Sequence, residues 1–471
     1  MIYIFSLKRI SSHLMIGLVF LVLTSFQTDG RIKEEIDTVP NVIVIFCDDM
    51  GYADISPFGA KPGLTPNLDK MAQEGMKFTN FYSGYASCTC SRASLLTGCY
   101  PGRLGMQGNF MPNSKNGLNP NEETIAEILS QRNYATAIFG KWHLGDAPEF
   151  MPTNQGFEEF YGFPYSHDMW PFHPLNEQYN FPPLPLYNGV NVINPDVRPG
   201  DITNLTADLT DKTVDFIERK KDAPFFIYLA YPLPHVPLLV SERFDGKTGQ
   251  GLYADVVAEL DEGVGRIFES LKLNGIDDNT LVIFTSDNGP WTWYGEHGGS
   301  AGPLRGHKGS LFEGGYRMPC IMRWPDKIAN GSVNNHLSAT IDLLPTIAKI
   351  SNSDLPKLAI DGQDISEILT GEKNIPSHEA YFYNKQAVRM GDWKLILPHQ
   401  SQVIQVPGKN GYPGERTRDS IPLSLFNLGE DVGETKNLAE MYPKIVEKLK
   451  TVLKNQNIKI NNQQRQIGEL D

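Results

Sequence analysis

Cysteine is scarce: five in 471 residues, an odd number that excludes a scaffold built on disulfides. Positive charge is in deficit too. Lysine and arginine total 42 against 55 aspartates and glutamates, a formal net charge of −13 at pH 7. Nucleic acid and anionic membranes both select basic proteins, so neither is the main partner, although a local basic pocket for a small anion stays open. There is no internal repeat and no long low-complexity tract. Nor does any apolar run reach the roughly 20 residues of a membrane-spanning helix. The nearest is residues 14–23, behind Lys8 and Arg9 and ahead of Thr24 and Ser25. That order reads as a signal peptide over residues 1–28, with no stable membrane insertion and a periplasmic or secreted mature chain.

What is present is globular in balance, 40% hydrophobic and 21% charged. The length suits one large domain plus a smaller one. One pattern recurs along the large part. A short apolar, β-branched run ends and reactive residues follow at once. "NVIVIF" leads into Cys47, Asp48 and Asp49; "YATAIFG" into Lys141, Trp142 and His143; "PFFIYLAYPLP" into His235; "NTLVIFTS" into Asp287, Asn288 and Gly289. Continuous apolar runs suit strands buried on both faces of a parallel sheet. "NEETIAEILSQRN", with Asn121 as its cap, "TADLTDKTVDFIERKK" and "YADVVAELDEGVGRIFESLKLNG" have amphipathic helical spacing and precede three of these strands. The fold class is therefore α/β, with a mainly parallel central sheet flanked by helices. Ligands of such sheets bind beyond the carboxyl ends of the strands, which gathers all four clusters on one rim. After residue 355 the texture changes: "AVRMGDWKLIL" and "LSLFNLGED" read as strands of a smaller, antiparallel C-terminal α+β domain. The expected divisions are 38–355 and 356–471.

Asp48 and Asp49 are adjacent carboxylates at a strand end, costly to bury without a cation. Asp287 and Asn288 offer two more oxygens. Each pair alone is as well explained by a turn; together on one rim they suit a hard divalent ion, Ca²⁺ or Mg²⁺, rather than zinc. Lys141, His143, His235 and Lys308, the last in the glycine-rich "RGHKGSLFEGG", add positive charge and proton-transfer groups. A metal among lysines and histidines makes a site for a tetrahedral oxyanion, phosphate or sulfate.

"YASCTCSRASLLTG" is harder to place. Cys88 precedes a helix-like segment, whose N-terminus favours an anion beside it and lowers a thiol pKa. Yet a hard cation prefers oxygen to a thiol. Cys88 is a modified or reactive residue, or it packs, or it pairs with Cys90 or Cys99; a direct bridge to Cys90 would be strained.

"CTCSRASLLTG", "VIVIFCDDMGY", "GKWHLG", "PLPHVP", "VIFTSDNGP" and "RGHKGSLFEGG" together resemble the type I, formylglycine-dependent sulfatases, in particular the arylsulfatase A and N-acetylgalactosamine-6-sulfatase branch. The resemblance covers nearly the whole chain after the leader and implies an alkaline-phosphatase-like large domain. It implies that a separate formylglycine-generating enzyme oxidises Cys88 and that Arg92 steadies the resulting diol. It implies Asp48, Asp49, Asp287, Asn288 and residue 88 as ligands of Ca²⁺. Lys141, His143, His235 and Lys308 would surround the sulfate, with Ser166 of "PYSHD" near the diol. In the implied reaction a diol oxygen attacks sulfur with help from Asp287. His235 then protonates the leaving oxygen beside Lys308, and His143 takes the second hydroxyl proton as the covalent sulfate departs. The chain departs from the family pattern at Cys90, where proline is usual.

Two rivals remain. A phosphatase or phosphonate hydrolase of the same superfamily would show two zinc ions and more histidine ligands. A silent sulfatase-like sugar-binding protein would have lost site residues, and none is missing. The expected substrate is a sulfated carbohydrate of galactose or N-acetylgalactosamine type, small molecule or oligosaccharide. Trp170, Trp291, Trp293 and Tyr294 lie near the rim, to stack on a sugar or to pack. The acidic balance favours one accessible terminal sulfate over a long basic groove.

Overall fold

The computed structural model describes residues 39–470, and the leader expected at residues 1–28 lies outside the described residues. The five strands β1 (Asn41–Cys47), β3 (Ala135–Lys141), β4 (Glu159–Phe163), β5 (Phe225–Ala230) and β6 (Thr280–Ser286) lie side by side in the order β6-β1-β5-β3-β4, all parallel. Beyond β6 come β7 (Arg317–Arg323), antiparallel to it, and then β2 (Met76–Tyr82), antiparallel to β7. β2 therefore runs with the parallel five. Two short antiparallel strands after β4, and two short strands that pair parallel with β2 at the other edge, complete an 11-stranded sheet among the described residues.

The apolar runs are buried because both faces of the sheet are covered. Along β1, Ile43, Ile45 and Cys47 join a core with helices α3 (Leu205–Lys220) and α4 (Leu252–Leu273). Val42, Val44 and Phe46 point the other way, into a core with α1 (Cys88–Thr97) and α2 (Ile125–Ser130). A strand alternates its side chains, so a strand between two helical layers has no polar face. α2 differs from the expectation at its start. Its cap is Thr124, not Asn121: Thr124 Oγ1 accepts from the Glu127 amide at 3.2 Å while Glu127 Oε2 accepts from the Thr124 amide at 2.8 Å. That reciprocal pair satisfies two end donors at once, which a lone asparagine three residues earlier cannot do.

β8 (Tyr381–Phe382), β9 (Ala387–Met390), β10 (Trp393–Ile396) and β13 (Ser424–Asn427) form a four-stranded antiparallel sheet, and β11 (His399–Val406) pairs with β12 (Glu415–Ile421) as a separate hairpin. Helix α5 (Pro443–Asn462) packs Val446, Leu449 and Leu453 against the four-stranded sheet. A buried ionic cluster joins this sheet to the single helical turn Glu313–Tyr316 ahead of β7. Lys394 Nζ lies 3.0 Å from Glu313 and 2.8 Å from Glu434, and Glu434 Oε2 accepts from the Glu313 amide at 2.7 Å. No helix among the described residues is long and apolar enough to cross a membrane.

Candidate functional site

Each expected cluster stands at the carboxyl end of a strand: Asp48 and Asp49 after β1, Lys141 at the end of β3, His143 just beyond it, Ser166 after β4, His235 after β5, Asp287 and Asn288 after β6. Cys88 opens α1 after β2, and Lys308 lies on the β6–β7 connection. Parallel strands put all these ends on one edge, and the structure brings the side chains together there.

Two residues on this edge adopt left-handed backbone. Asp49 has φ 61° and His143 φ 62°, each two residues past the last fully extended position of its strand. Non-glycine residues adopt this region at a cost of about 1–3 kcal/mol, held only when the surroundings over-determine it. Here the Asp49 amide donates to Asp287 Oδ1 at 3.0 Å and the His143 amide to the Pro164 carbonyl at 3.0 Å. The turns aim both side chains back across the rim. Gly140 (φ 115°) permits the close approach beside them, since a Cβ there would lie 2.0 Å from the Ala230 carbonyl oxygen.

Asp48 is fully buried and bonded to Lys141 Nζ, with Arg92 Nη2 at 3.4 Å and Cys88 Sγ at 3.3 Å from Oδ1. Asp49 accepts from Asn288 Nδ2 at 2.7 Å and Lys308 Nζ at 2.8 Å, and faces His235 Nε2 at 3.3 Å. Arg92 Nη2 donates to Asp287 Oδ2 at 2.9 Å, and its Nη1 to the Lys141 carbonyl at 3.1 Å. Lys141 Nζ also donates to Ser166 Oγ at 3.0 Å. The group is thus one connected lattice of charges. Burial works against the charge on Asp48, yet Lys141, His235, Arg92 and Lys308 hold its carboxyl well below the usual range. Burial and then Asp48 push Asp287 above that range, with Arg92 opposing. Burial would likewise lower Lys141 and Lys308, but Asp48 and Asp49 beside them raise both. Burial and Asp48 raise the Cys88 thiol well above its usual value, so it is not a thiolate nucleophile in this setting.

The histidines are set up differently. His143 Nε2 donates to the Phe110 carbonyl at 3.0 Å, and its buried Nδ1 has no partner. Burial, with Lys141 and Arg92 close by, holds the ring neutral. Its free lone pair therefore sits on Nδ1, where a proton can be taken up. His235 Nδ1 donates to the Val236 carbonyl at 2.5 Å, which leaves Nε2 directed at Asp49.

The donors suit a hard cation. Metal-capable atoms of Asp48, Asp49, Cys88 and His235 all lie within 4.8 Å of one another. Asn288 Oδ1 is buried with no partner, which is costly for an amide oxygen unless a ligand meets it. Asp287 is not within that tight group; its oxygens are engaged by the Asp49 amide and by Arg92. The thiol is the one atom poorly matched to such an ion, and an oxygen at position 88 removes the mismatch.

Several participants were not singled out from sequence. Tyr228 OH stands 3.5 Å from Arg92 Nη1, and Phe46 offers its ring 5.5 Å from the guanidinium. Both lie inside strands, where nothing but their inward register marks them. His167 and Asp168 follow Ser166 directly, both buried, with the His167 ring 5.7 Å from that of His235. Of the four aromatics expected near the rim, Trp170, Trp293 and Tyr294 are buried and pack, while Trp291 is half-buried with its ring 5.1 Å from His235. The five cysteines are all buried and unpaired, so Cys88 has no disulfide to Cys90 or Cys99.

Comparison with known proteins agrees with this geometry. The sulfatase family model matches residues 40–353, and the model for the C-terminal region of aryl-sulfatase matches 376–471. Arylsulfatase A of Bos taurus is 38% identical over 428 residues, 85% of this chain and 83% of its own. N-acetylgalactosamine-6-sulfatase of Rattus norvegicus is 34% identical, covering 84% of this chain and 80% of its own. The solved structure of the PsFucS1 sulfatase from Pseudoalteromonas sp. superposes with a TM-score of 0.80 at 28% identity, over 91% of this chain and 92% of that one. With motifs, fold and relatives in agreement along nearly the whole described length, the chain belongs to the sulfatase family and is a sulfuric ester hydrolase.

Proposed function

We propose that this sulfatase is exported and removes sulfate from carbohydrate of galactose or N-acetylgalactosamine type, using formylglycine made from Cys88 by a separate maturation enzyme and a bound Ca²⁺, or Mg²⁺ in its place. The observation that carries the reading is the position of Cys88 Sγ, 3.3 Å from Asp48 on one side and 3.3 Å from Lys308 Nζ on the other, at the first turn of α1. The sugar class is supported by the name of the rat relative. In this reading residues 38–355 form the catalytic domain and 356–471 the C-terminal subdomain.

Asp48, Asp49, Asp287 and Asn288 would hold the cation. Converted and hydrated, residue 88 would supply an oxygen nucleophile, and the cation would draw negative charge from it and from the sulfate. The chain's own groups do the rest. Lys141, positioned by Ser166 at 3.0 Å, and Lys308 meet the sulfate oxygens with charge-assisted hydrogen bonds. Arg92 fixes Asp287 at 2.9 Å, and from that position the carboxylate would accept the proton of the attacking hydroxyl. His143 Nδ1 is neutral and unpartnered, placed to accept the second hydroxyl proton. His235 Nε2 donates a proton to the departing sugar oxygen, and Lys308 offsets the charge that develops on it. Water is excluded because nearly every group named is buried; only Lys308 keeps about a tenth of its side chain exposed.

The test is the mass of the tryptic peptide from Phe78 to Arg92, taken from protein made in its native host. A mass for aldehyde in place of the Cys88 thiol supports the reading. An unmodified thiol in all molecules defeats it and favours a silent sugar-binding protein.

A further inference from the structure

The hairpin β11–β12 sorts its charges by face. Side chains alternate along a strand, so Glu415, Thr417 and Asp419 share one side of β12 while Arg416 and Arg418 share the other. The register sets Ile404 opposite Arg416 and Gln402 opposite Arg418. The two arginines therefore stand about 7 Å apart on one exposed face, with Gln402 across from Arg418 on the neighbouring strand.

This face is attached to the catalytic rim. The Arg416 guanidinium lies 3.7 Å from the Trp293 ring centroid and donates to Gln402 Oε1 at 3.1 Å. Trp293 is fastened to the hairpin's own turn: its Nε1 donates to the Gly414 carbonyl at 2.7 Å, and its carbonyl accepts from Gly408 at 3.0 Å and Gly414 at 2.9 Å. Trp291 stands 5.9 Å from Trp293, 5.1 Å from His235 and 4.4 Å from Lys308 Nζ. Two aromatic rings thus lead from the group that protonates the leaving oxygen to the arginine face. Arg418 is exposed, its backbone is paired with Gln402 in the hairpin, and its side chain has no ion pair and no hydrogen bond among the described residues. The acids of this strand lie on its opposite side. Planar guanidinium groups are suited to tetrahedral oxyanions, and a side-chain amide beside them is suited to hydroxyls.

We propose that this hairpin face is a second anionic subsite, which binds a neighbouring sulfate of the same carbohydrate chain whose scissile sulfate lies at Cys88. The preferred substrate is then an oligosaccharide carrying more than one sulfate. The proposal rests on the sulfatase reading of the site but uses none of its catalytic residues.

The test compares Arg418→Gln with Asp419→Asn, which changes a charge on the opposite face of the same strand. Affinity is read by calorimetry on chondroitin and carrageenan tetrasaccharides carrying one sulfate or two, and KM on the same sugars and on 4-nitrophenyl sulfate. The parent enzyme is expected to bind the doubly sulfated sugars more tightly. Arg418→Gln should raise the ratio of their KM to that of 4-nitrophenyl sulfate roughly three- to tenfold, with a weaker effect at high salt, and Asp419→Asn should not raise it. An unchanged ratio, an equal effect of both variants, or equal binding of singly and doubly sulfated sugars overturns the proposal. Binding needs no turnover, so a protein that shows the affinity difference but cleaves no sulfate ester overturns the catalytic reading alone.

Discussion

Lys308 Nζ stands 2.8 Å from the Asp49 carboxylate and 3.3 Å from Cys88 Sγ, so one ammonium group bridges the first strand end and the first turn of α1. Burial and Asp48 together keep that thiol protonated, and the lysine's own charge is held by Asp49. Residue 88 in its encoded form is thus a passive atom inside an active frame. Cys88→Ser should leave the fold intact by circular dichroism and abolish multiple turnover, because a serine ester of sulfate has no second hydroxyl with which to expel it.

His235 and the leaving group give a sharper expectation. Protonation by a general acid is worth roughly 100- to 10,000-fold when the leaving oxygen is a poor one. His235→Ala should therefore cut kcat on a sugar sulfate by that order and cut it much less on 4-nitrophenyl sulfate, whose leaving oxygen needs no proton. Equal losses on both substrates would assign His235 to binding rather than proton transfer.

Removal of the cation is readable without turnover. A ligand that binds only the folded state raises the melting temperature by mass action. EDTA should lower the Tm of the parent protein and Ca²⁺ or Mg²⁺ should restore it. Asn288→Ala, which deletes a buried oxygen that has no partner, should weaken this response and lower kcat at least tenfold. A Tm indifferent to both additions in the parent would remove the metal from the account.

Cys90 occupies the third position of α1, and its Sγ lies 3.3 Å from the Gly108 carbonyl and 3.2 Å from the Gly108 amide. Proline is tolerated in a first helical turn, where amides lack intrahelical partners. Cys90→Pro should fold with a loss of only about 1 kcal/mol, that of the thiol contact. The converted fraction at Cys88, read by peptide mass, should equal or exceed that of the parent.

Lys394 offers a prediction on stability alone. Burial raises Glu434 to about 7, with Lys394 opposing, and Glu313 beyond it shares the same ammonium. A carboxyl raised above its unfolded value costs stability as pH climbs from the unfolded value, near 4.5, through the folded one. Lys394→Met removes the opposing charge and should destabilise the protein by about 3–5 kcal/mol at neutral pH. The deficit should shrink as pH falls from 8 to 5, because Glu434 is then protonated. A deficit constant with pH in urea unfolding would show that the loss is one of packing.

The sequence by itself determined the rim. Four apolar runs ending in Asp48-Asp49, Lys141, His235 and Asp287-Asn288 imply parallel strands, and parallel strands share an edge, so the gathering of these residues follows from periodicity and chain direction alone. Cys88 to Arg92 and the segment around Lys308 were legible as motifs. Tertiary structure alone decided the rest. The left-handed turns at Asp49 and His143 and the unpartnered Nδ1 of His143 depend on which donor meets which acceptor across segments, and local spacing carries no such information. The same holds for the arginines of β12. In sequence Arg416 and Arg418 sit among acids in an acidic chain; only the pleat of the hairpin and its anchorage on Trp293 turn them to one face beside the site. Net charge is a sum over the chain, whereas a binding surface depends on where the fold places each charge.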